Sequence, residues 1–465
     1  NPRSMRVVAL ADIRPSSVHR AFHGDWGGAQ PEITHSLRPG LMQIYGWKSE
    51  DQARREVAVF EDYRELLKRD DVEAVIIALP LHLHAPAAIA ALRAGKHVLT
   101  EKLMAHNIAQ AKLMARTATD TKLHLATGHQ RHYSILYDDA KHILQAGLIG
   151  QIHHIRAQWH RGNLPGKDSW KPPVPGGELA VADMPAARVT KGQRIDTIAD
   201  QLRKFEAAMK TERSPARLEL LRKQVAQWTA WDADKSVPAE NHGYENMALP
   251  TGERSALEEL VRWRLWERTG GGLMAELGSH QLDAASIFLS ALRADGKKVH
   301  PLTIHAVGGR HLFPRDRDCE DHVYCMFEFP GPAYEPAFDV GYRDVQEGVP
   351  DPKLGVPAYD PDKHPGQRVV VTYSSINGNG WGGYGETVLG TKGTLILEQE
   401  QEIMLFKDSD TATRVGVKAA SGGAALDTQA SGSYSPLAQT AKSGPVSRGY
   451  REEMEHFAWC IRHPD

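Results

Sequence analysis

The chain has 465 residues, of which 41% are hydrophobic and 25% charged, and a formal net charge of -2. That length allows two or three domains, each with its own core, and the composition forces no disorder. The near-neutral balance argues against nucleic acid or an anionic membrane as the main partner, because both need a concentrated basic face. A small neutral ligand fits better. The three cysteines, Cys319, Cys325 and Cys460, form no CxxC pair and point to neither a disulfide framework nor a zinc ribbon. No apolar run approaches the roughly 18 residues that span a bilayer. The expectation is therefore a soluble, cytoplasmic protein with reduced thiols. The chain starts at Asn1 and opens almost directly on a strand, so an upstream segment is expected, and an export signal would lie in it.

In chain order, the first 160 residues alternate apolar β-rich runs with amphipathic helical stretches. Strands are expected at Met5 to Asp12, at "VEAVIIALP" (72–80), at "KHVLT" (96–100) and at "HLATG" (124–128). Helices are expected at 62–69, 84–94, 107–120 and 135–146, with Gly95 and Gly147 as stops. Near-continuous apolar strands joined by helices read as a parallel sheet covered on both faces, a doubly wound Rossmann-type α/β domain over 1–150.

From Gln151 the pattern changes to alternation, "QIHHIRAQWH", with further strands expected at 299–310, 321–329, 369–376, 386–390 and 393–397. These predict a second α/β domain over 151–465, built on a large open and mostly antiparallel sheet. A helical insertion at about 176–245 carries an amphipathic hairpin in "IADQLRKFEAAMK" and "LELLRKQVAQW". The proline-rich 341–367 reads as a long loop, and the Gly-, Ser- and Ala-rich 419–436 as a mobile one.

The chemistry-bearing residues cluster at strand ends. Asp12 ends the opening strand, where an acid can accept hydrogen bonds from the adenosine ribose hydroxyls and favour NAD. Arg14 is near enough to receive a 2′-phosphate, so NADP stays possible. The glycine-rich loop that would hold the pyrophosphate, and the strand before it, are expected upstream of Asn1. "ALPLHLHAP" (78–86) places Leu79, Pro80 and His84 at a strand end that would border a nicotinamide. "TEKLM" then places Glu101 and Lys102 at the carboxyl end of the next strand, where open α/β sheets bind ligands. An ammonium beside a substrate oxygen stabilises the negative charge that develops as a hydroxyl loses its proton.

The order of these motifs, together with "DDVEAVIIALPLHLHAPAAIAALRAGKHVLTEKLM" and the later "LIGQIHHI", resembles the Gfo/Idh/MocA family of NAD(P)-dependent oxidoreductases. The resemblance is strong over 5–160 and looser over 255–465, and 171–250 lies outside it. It implies that Lys102 reaches both the nicotinamide and the substrate hydroxyl. Leu103 stands where the family usually has proline, which frees φ and restores a backbone donor.

A second constellation is "RTGGGLMAELGSHQLDAASIF" (268–288). If the part after Gly272 is helical, Glu276 and His280 fall at i and i+4 and Asp283 three residues on, all on one face. The family's matching segment places an acid four residues before a histidine that takes the substrate's proton. The resemblance thus implies His280 as the base, with Glu276 replacing the more usual aspartate. An imidazole suits that task because its ordinary pKa lies near neutrality. Glu, His and Asp are also metal ligands, but no further ligand motif accompanies them, so no metal is expected. Softer candidates for contacting substrate are Arg131, His132, Tyr133, Trp159, Arg161 and Trp170, since aromatic faces with polar tips suit polyols.

The resulting expectation is an enzyme, an oxidoreductase that transfers hydride between a nicotinamide cofactor and a secondary alcohol of a sugar, polyol or glycoside. Two alternatives stay open: a glycosidase using NAD transiently for oxidation and elimination, and a non-catalytic sugar or dinucleotide sensor. The open sheet and the resemblance together imply a homodimer or homotetramer.

Overall fold

The computed structural model describes residues 4–26, 38–180, 188–250, 252–293, 295–332, 334, 368–407, 414–420, 423–427 and 447–463. The expected loop at 341–367 lies outside them. No helix among the described residues is long and apolar enough to cross a membrane.

The N-terminal part is parallel throughout, as its apolar strands require, but its strands fall into two sheets. Ala9–Ala11 pairs with Ala58–Phe60, a strand that the sequence reading missed. Ala74–Ile77, His97–Glu101 and Leu125–Gly128 form the other sheet in that order. The helices His84–Arg93 and Ile108–Thr121 pack on this sheet through Ala88, Leu92 and Met114 around Val98. Asn107 caps the second helix by accepting from the Gln110 amide. Gly95 and Gly147 follow two helix ends at φ 78° and 69°, a backbone conformation that costs glycine nothing. Ile76, on the edge strand of this sheet, is largely exposed.

The second part is the expected large and mostly antiparallel sheet, with nine strands where the sequence reading placed six. Arg368–Ile376 runs parallel to Ile152–Trp159 at its centre, and the other pairings are antiparallel. Strict alternation sends Val369, Val371 and Tyr373 inward against Ala284, Ala285 and Phe288 of the helix Ser279–Ala291. On strands Thr303–Gly309 and His322–Pro330, the residues Val307, Tyr324 and Met326 are exposed on the sheet's other face. The stretch expected to be mobile instead contributes to a hairpin, Arg414–Ala420 with Gly423–Asp427, while 428–436 is outside the described residues.

The insertion is the expected helical hairpin, Thr197–Thr211 and Pro215–Ala233, closed by Ile198, Phe205 and Trp228. Its return segment does not stand apart. Ala239, Tyr244, Ala256 and Leu260 form a small core that packs on Ile13, beside the end of the first described strand.

Candidate active site

The site grows from the carboxyl end of His97–Glu101, the central strand of its sheet. Lys102 leaves that strand and donates from Nζ to the Glu276 carbonyl at 2.5 Å, with a Glu276 carboxylate oxygen 3.6 Å away. Leu103, the departure from the family signature, is held in another way. His84 is buried, and its Nδ1 lies 2.8 Å from the Leu103 carbonyl while its Nε2 lies 2.8 Å from that of Leu79. Both ring nitrogens are thus committed to backbone, which corrects the expectation that His84 offers a donor to a ligand. It ties the two strand-end loops together and so fixes the turn that a proline would have stiffened.

Glu276 and His280 belong to an unusual helix start. Gly271 and Gly272, with φ of 70° and 78°, reverse the chain, and Met274–Gly278 then forms a single π turn before the α-helix begins at Ser279. π turns recur at functional sites because they re-aim side chains. Gly278 makes this one possible here, since a Cβ would stand 2.5 Å from the Met274 sulfur and 3.0 Å from the Tyr373 ring. The Glu276 carboxylate accepts from Arg264 Nε at 2.7 Å. Burial alone would raise its pKa, but Lys102 and Arg264 outweigh burial and hold it below the usual carboxylate range. Burial lowers the Lys102 pKa, opposed by Glu276 and Glu101.

His280 faces the same charges. Burial first, then Lys102 and Arg131, push its imidazole down to about 2, against a smaller opposing pull from Asp283. The ring is therefore neutral at any working pH. It lies 5.5 Å from the Trp159 ring, which stacks in turn on Tyr384 at 4.4 Å. Arg161 lies over Trp159, with its buried Nε lacking a hydrogen-bond partner among the described residues. The column expected from helix spacing is thus divided: Glu276 pairs with Lys102 and the His280 ring lies against Trp159, whereas Asp283 meets His132 Nε2 at 3.0 Å, His129 at 3.5 Å and Lys298 at 3.4 Å.

Other expected contacts move. Arg131 is 1% exposed, held by Glu400 at 2.8 Å and Glu386 at 2.7 Å, and its Nη1 donates to the His280 carbonyl at 2.9 Å. It is corrected from substrate ligand to positioning residue. Trp170 is likewise corrected, being buried with Leu265, Trp266 and Leu277 beneath the site. Tyr133 Oη lies 3.0 Å from His456 Nδ1 on the C-terminal helix Tyr450–Arg462. Glu101 is exposed and accepts from the Lys102 amide at 3.2 Å. Arg264, Glu386 and Glu400 were not anticipated. Only the placing of Arg264 between Trp263 and Trp266, just before the Gly-rich turn, hinted at one of them.

At the other end of the cleft, one Asp12 oxygen accepts from the Arg14 amide at 2.8 Å. Burial raises the Asp12 pKa, with the Arg14 contacts opposing. Pro80 leads into the short helical turn Leu81–Leu83, and the insertion's buried Tyr244 lies edge-on to His82, ring centres 5.6 Å apart.

A family model described as GFO_IDH_MocA, oxidoreductase family with an NAD-binding Rossmann fold, matches residues 39–129, which span both strand-end loops. Residues 39–129 are thus similar to the NAD-binding part of this family. The chain is 36% identical over 117 residues to a dTDP-3,4-didehydro-2,6-dideoxy-alpha-D-glucose 3-reductase of Streptomyces violaceoruber, covering 24% of this chain and 34% of that protein. The reductase of the same name from Actinomadura kijaniata is 32% identical over 212 residues, 44% of this chain and 60% of its own length. A myo-inositol 2-dehydrogenase of Thermotoga maritima is 26% identical over 147 residues, 30% of this chain and 42% of that one. The matched regions thus span between about a third and three fifths of these relatives. Levoglucosan dehydrogenase in its apo form aligns over 99% of this chain and 91% of its own, at 14% identity and a TM-score of 0.47.

Proposed function

We propose that this protein is an NAD-dependent oxidoreductase acting on a secondary alcohol of a sugar, polyol or glycoside. The observation that carries the reading is the pairing of the Lys102 ammonium with Glu276 at the carboxyl end of a parallel strand, with the His280 ring near enough to feel the Lys102 charge. The chain's residues fit a dinucleotide. Asp12 stands at the strand end where the ribose would lie, Leu79 and Pro80 would border the nicotinamide end, and the buried Arg161 Nε has no hydrogen-bond partner among the described residues. When bound, the dinucleotide supplies the hydride chemistry.

The chain's own part is proton management. Lys102 donates to the substrate oxygen and stabilises its developing negative charge. His280 accepts the hydroxyl proton. Its basicity, suppressed by Lys102, recovers as that charge appears between them, because an adjacent anion favours the imidazolium. Glu276, anchored by Arg264, holds Lys102 in place. Trp159 and Tyr384 supply an aromatic wall for the ring of a sugar, with Arg161 at its edge. On this reading 1–150 is the dinucleotide domain and 151–465 binds substrate, with copies pairing through the exposed apolar residues of the large sheet.

The test is incubation of the full-length protein with NAD and a panel of polyols, sugars and glycosides. Net NADH formation supports the reading. Release of an aglycone without net NADH places the same residues in redox-assisted glycoside cleavage, and binding of sugar with neither product points to a sensor.

A further inference from the structure

We infer that Asp234, a residue of the helical insertion, sets the choice of NAD over NADP by occupying the place that the cofactor's 2′-phosphate would take. The inference rests on the dinucleotide reading above.

The helix Pro15–His23 begins directly after Asp12, the residue placed to meet the adenosine ribose. Its first turn has much that would hold a phosphate: the Arg14 guanidinium, the Ser16 amide and hydroxyl, and the positive end of the helix dipole. Read from the sequence alone, Arg14 leaves NADP open. The structure shows these donors already committed to an anion of the protein's own. Asp234 is 0% exposed, and it arrives from the turn that ends the helix Pro215–Ala233, 218 residues along the chain from Ser16. Its Oδ1 accepts from the Ser16 amide at 2.9 Å. Its Oδ2 accepts from the Ser16 hydroxyl at 2.6 Å and from Arg14 Nε at 2.9 Å, with Arg14 Nη2 paired to it at 2.9 Å.

Two consequences follow for a 2′-phosphate. Arg14 cannot turn to it without leaving a buried carboxylate unpaired, which is costly. A phosphate dianion brought to this edge would also meet Asp234 and Asp12 together. The two carboxyls are close enough that Asp234 adds to the upward push on Asp12. Beside the plug, Arg14, Ser16, Ser17, Arg20 and Trp231 border a cleft of about 210 Å³, so the donors would have room to rearrange once Asp234 is neutral. Cofactor choice is thereby assigned to a segment outside the dinucleotide domain, where the family resemblance does not reach.

The experiment is fluorescence titration of the full-length protein with NADH and with NADPH, for the wild type, Asp234→Asn, Asp234→Ala and the double variant Arg14→Gln/Asp234→Asn. Asp234→Asn keeps the shape and an acceptor for Ser16, so it carries the test if the alanine variant fails to fold. The wild type should bind NADH more tightly. Asp234→Asn should shift the NADPH-to-NADH affinity ratio toward NADPH by about tenfold, the scale of one charge-assisted contact. The double variant should lose that gain. An unchanged ratio in folded Asp234→Asn, or tighter NADPH binding by the wild type, overturns the assignment. Absence of binding for both dinucleotides in the wild type overturns the cofactor reading itself, a different and recognisable outcome.

Discussion

Two charged clusters meet at the His280 backbone, and they use the same chemical groups to opposite ends. Around Arg131, a guanidinium, the Glu386 and Glu400 carboxylates and the Tyr137 hydroxyl are sealed from water and bonded to one another. Around Lys102, an ammonium, the Glu276 carboxylate and an imidazole keep some exposure, and the His280 ring has no hydrogen bond of its own among the described residues. The first cluster holds a backbone in place, and the second holds groups ready for something that arrives. The bond from Arg131 to the His280 carbonyl joins them, so the rigid cluster aims the reactive one.

Removing one member from each cluster should therefore have opposite signatures. His280→Ala should lower turnover by roughly 10² to 10⁴-fold, the usual range for a general base, with dinucleotide binding and melting temperature nearly intact. Steady-state kinetics beside NADH titration reads both. Arg131→Met should instead cost stability, about 3–5 kcal/mol, because it strands the buried Glu386 without its counter-ion and leaves Glu400 with Arg448 alone. Denaturant unfolding measures that loss, and kcat should fall as well because His280 loses its anchor. If Arg131→Met left stability unchanged and altered only KM, Arg131 would be a substrate ligand after all.

A third change sharpens the boundary between the clusters. Glu453, on the C-terminal helix, is buried near Glu101, and burial followed by that carboxylate pushes its pKa up to about 7 from 4.5. A carboxyl raised in the folded state favours folding while protonated, and that contribution is lost as pH rises from 4.5 through 7. Glu453→Gln should therefore stabilise the protein at pH 8 relative to the wild type, on the order of 1–3 kcal/mol, and make little difference at pH 4. Thermal melts at the two values decide it. The smallest effect on turnover is expected from Val307→Lys with Met326→Lys. These residues are 68% and 38% exposed on the open sheet face. On the pairing proposed above, light scattering should show a smaller species for this variant than for the wild type while activity per subunit persists.

The reactive cluster was more legible in the sequence than the rigid one, for a physical reason. Lys102 follows an apolar strand, and Glu276 and His280 are four residues apart, so local pattern exposes them. The partners of Arg131 lie 255 and 269 residues away, and no local signal marks a guanidinium as buried. The π turn at Met274–Gly278 was equally invisible, since it depends on Gly278 meeting Tyr373 across the sheet. Most apolar strands were placed to within a few residues, although Ala58–Phe60 and Glu402–Lys407 were missed. The hairpin Arg414–Ala420 with Gly423–Asp427 was not, because alanine and glycine carry little alternation between apolar and polar faces. The insertion's helices were visible from their amphipathic pattern, but their docking through Asp234 onto Arg14 was not.

The most direct test is a crystal structure of the full-length protein with NADH and a polyol that it turns over. The account predicts the nicotinamide beside Pro80 and Lys102, and one substrate oxygen within about 2.6–3.2 Å of both Lys102 Nζ and a His280 ring nitrogen. A substrate oxygen met by neither group, or a dinucleotide lying away from Asp12 and Lys102, would contradict it.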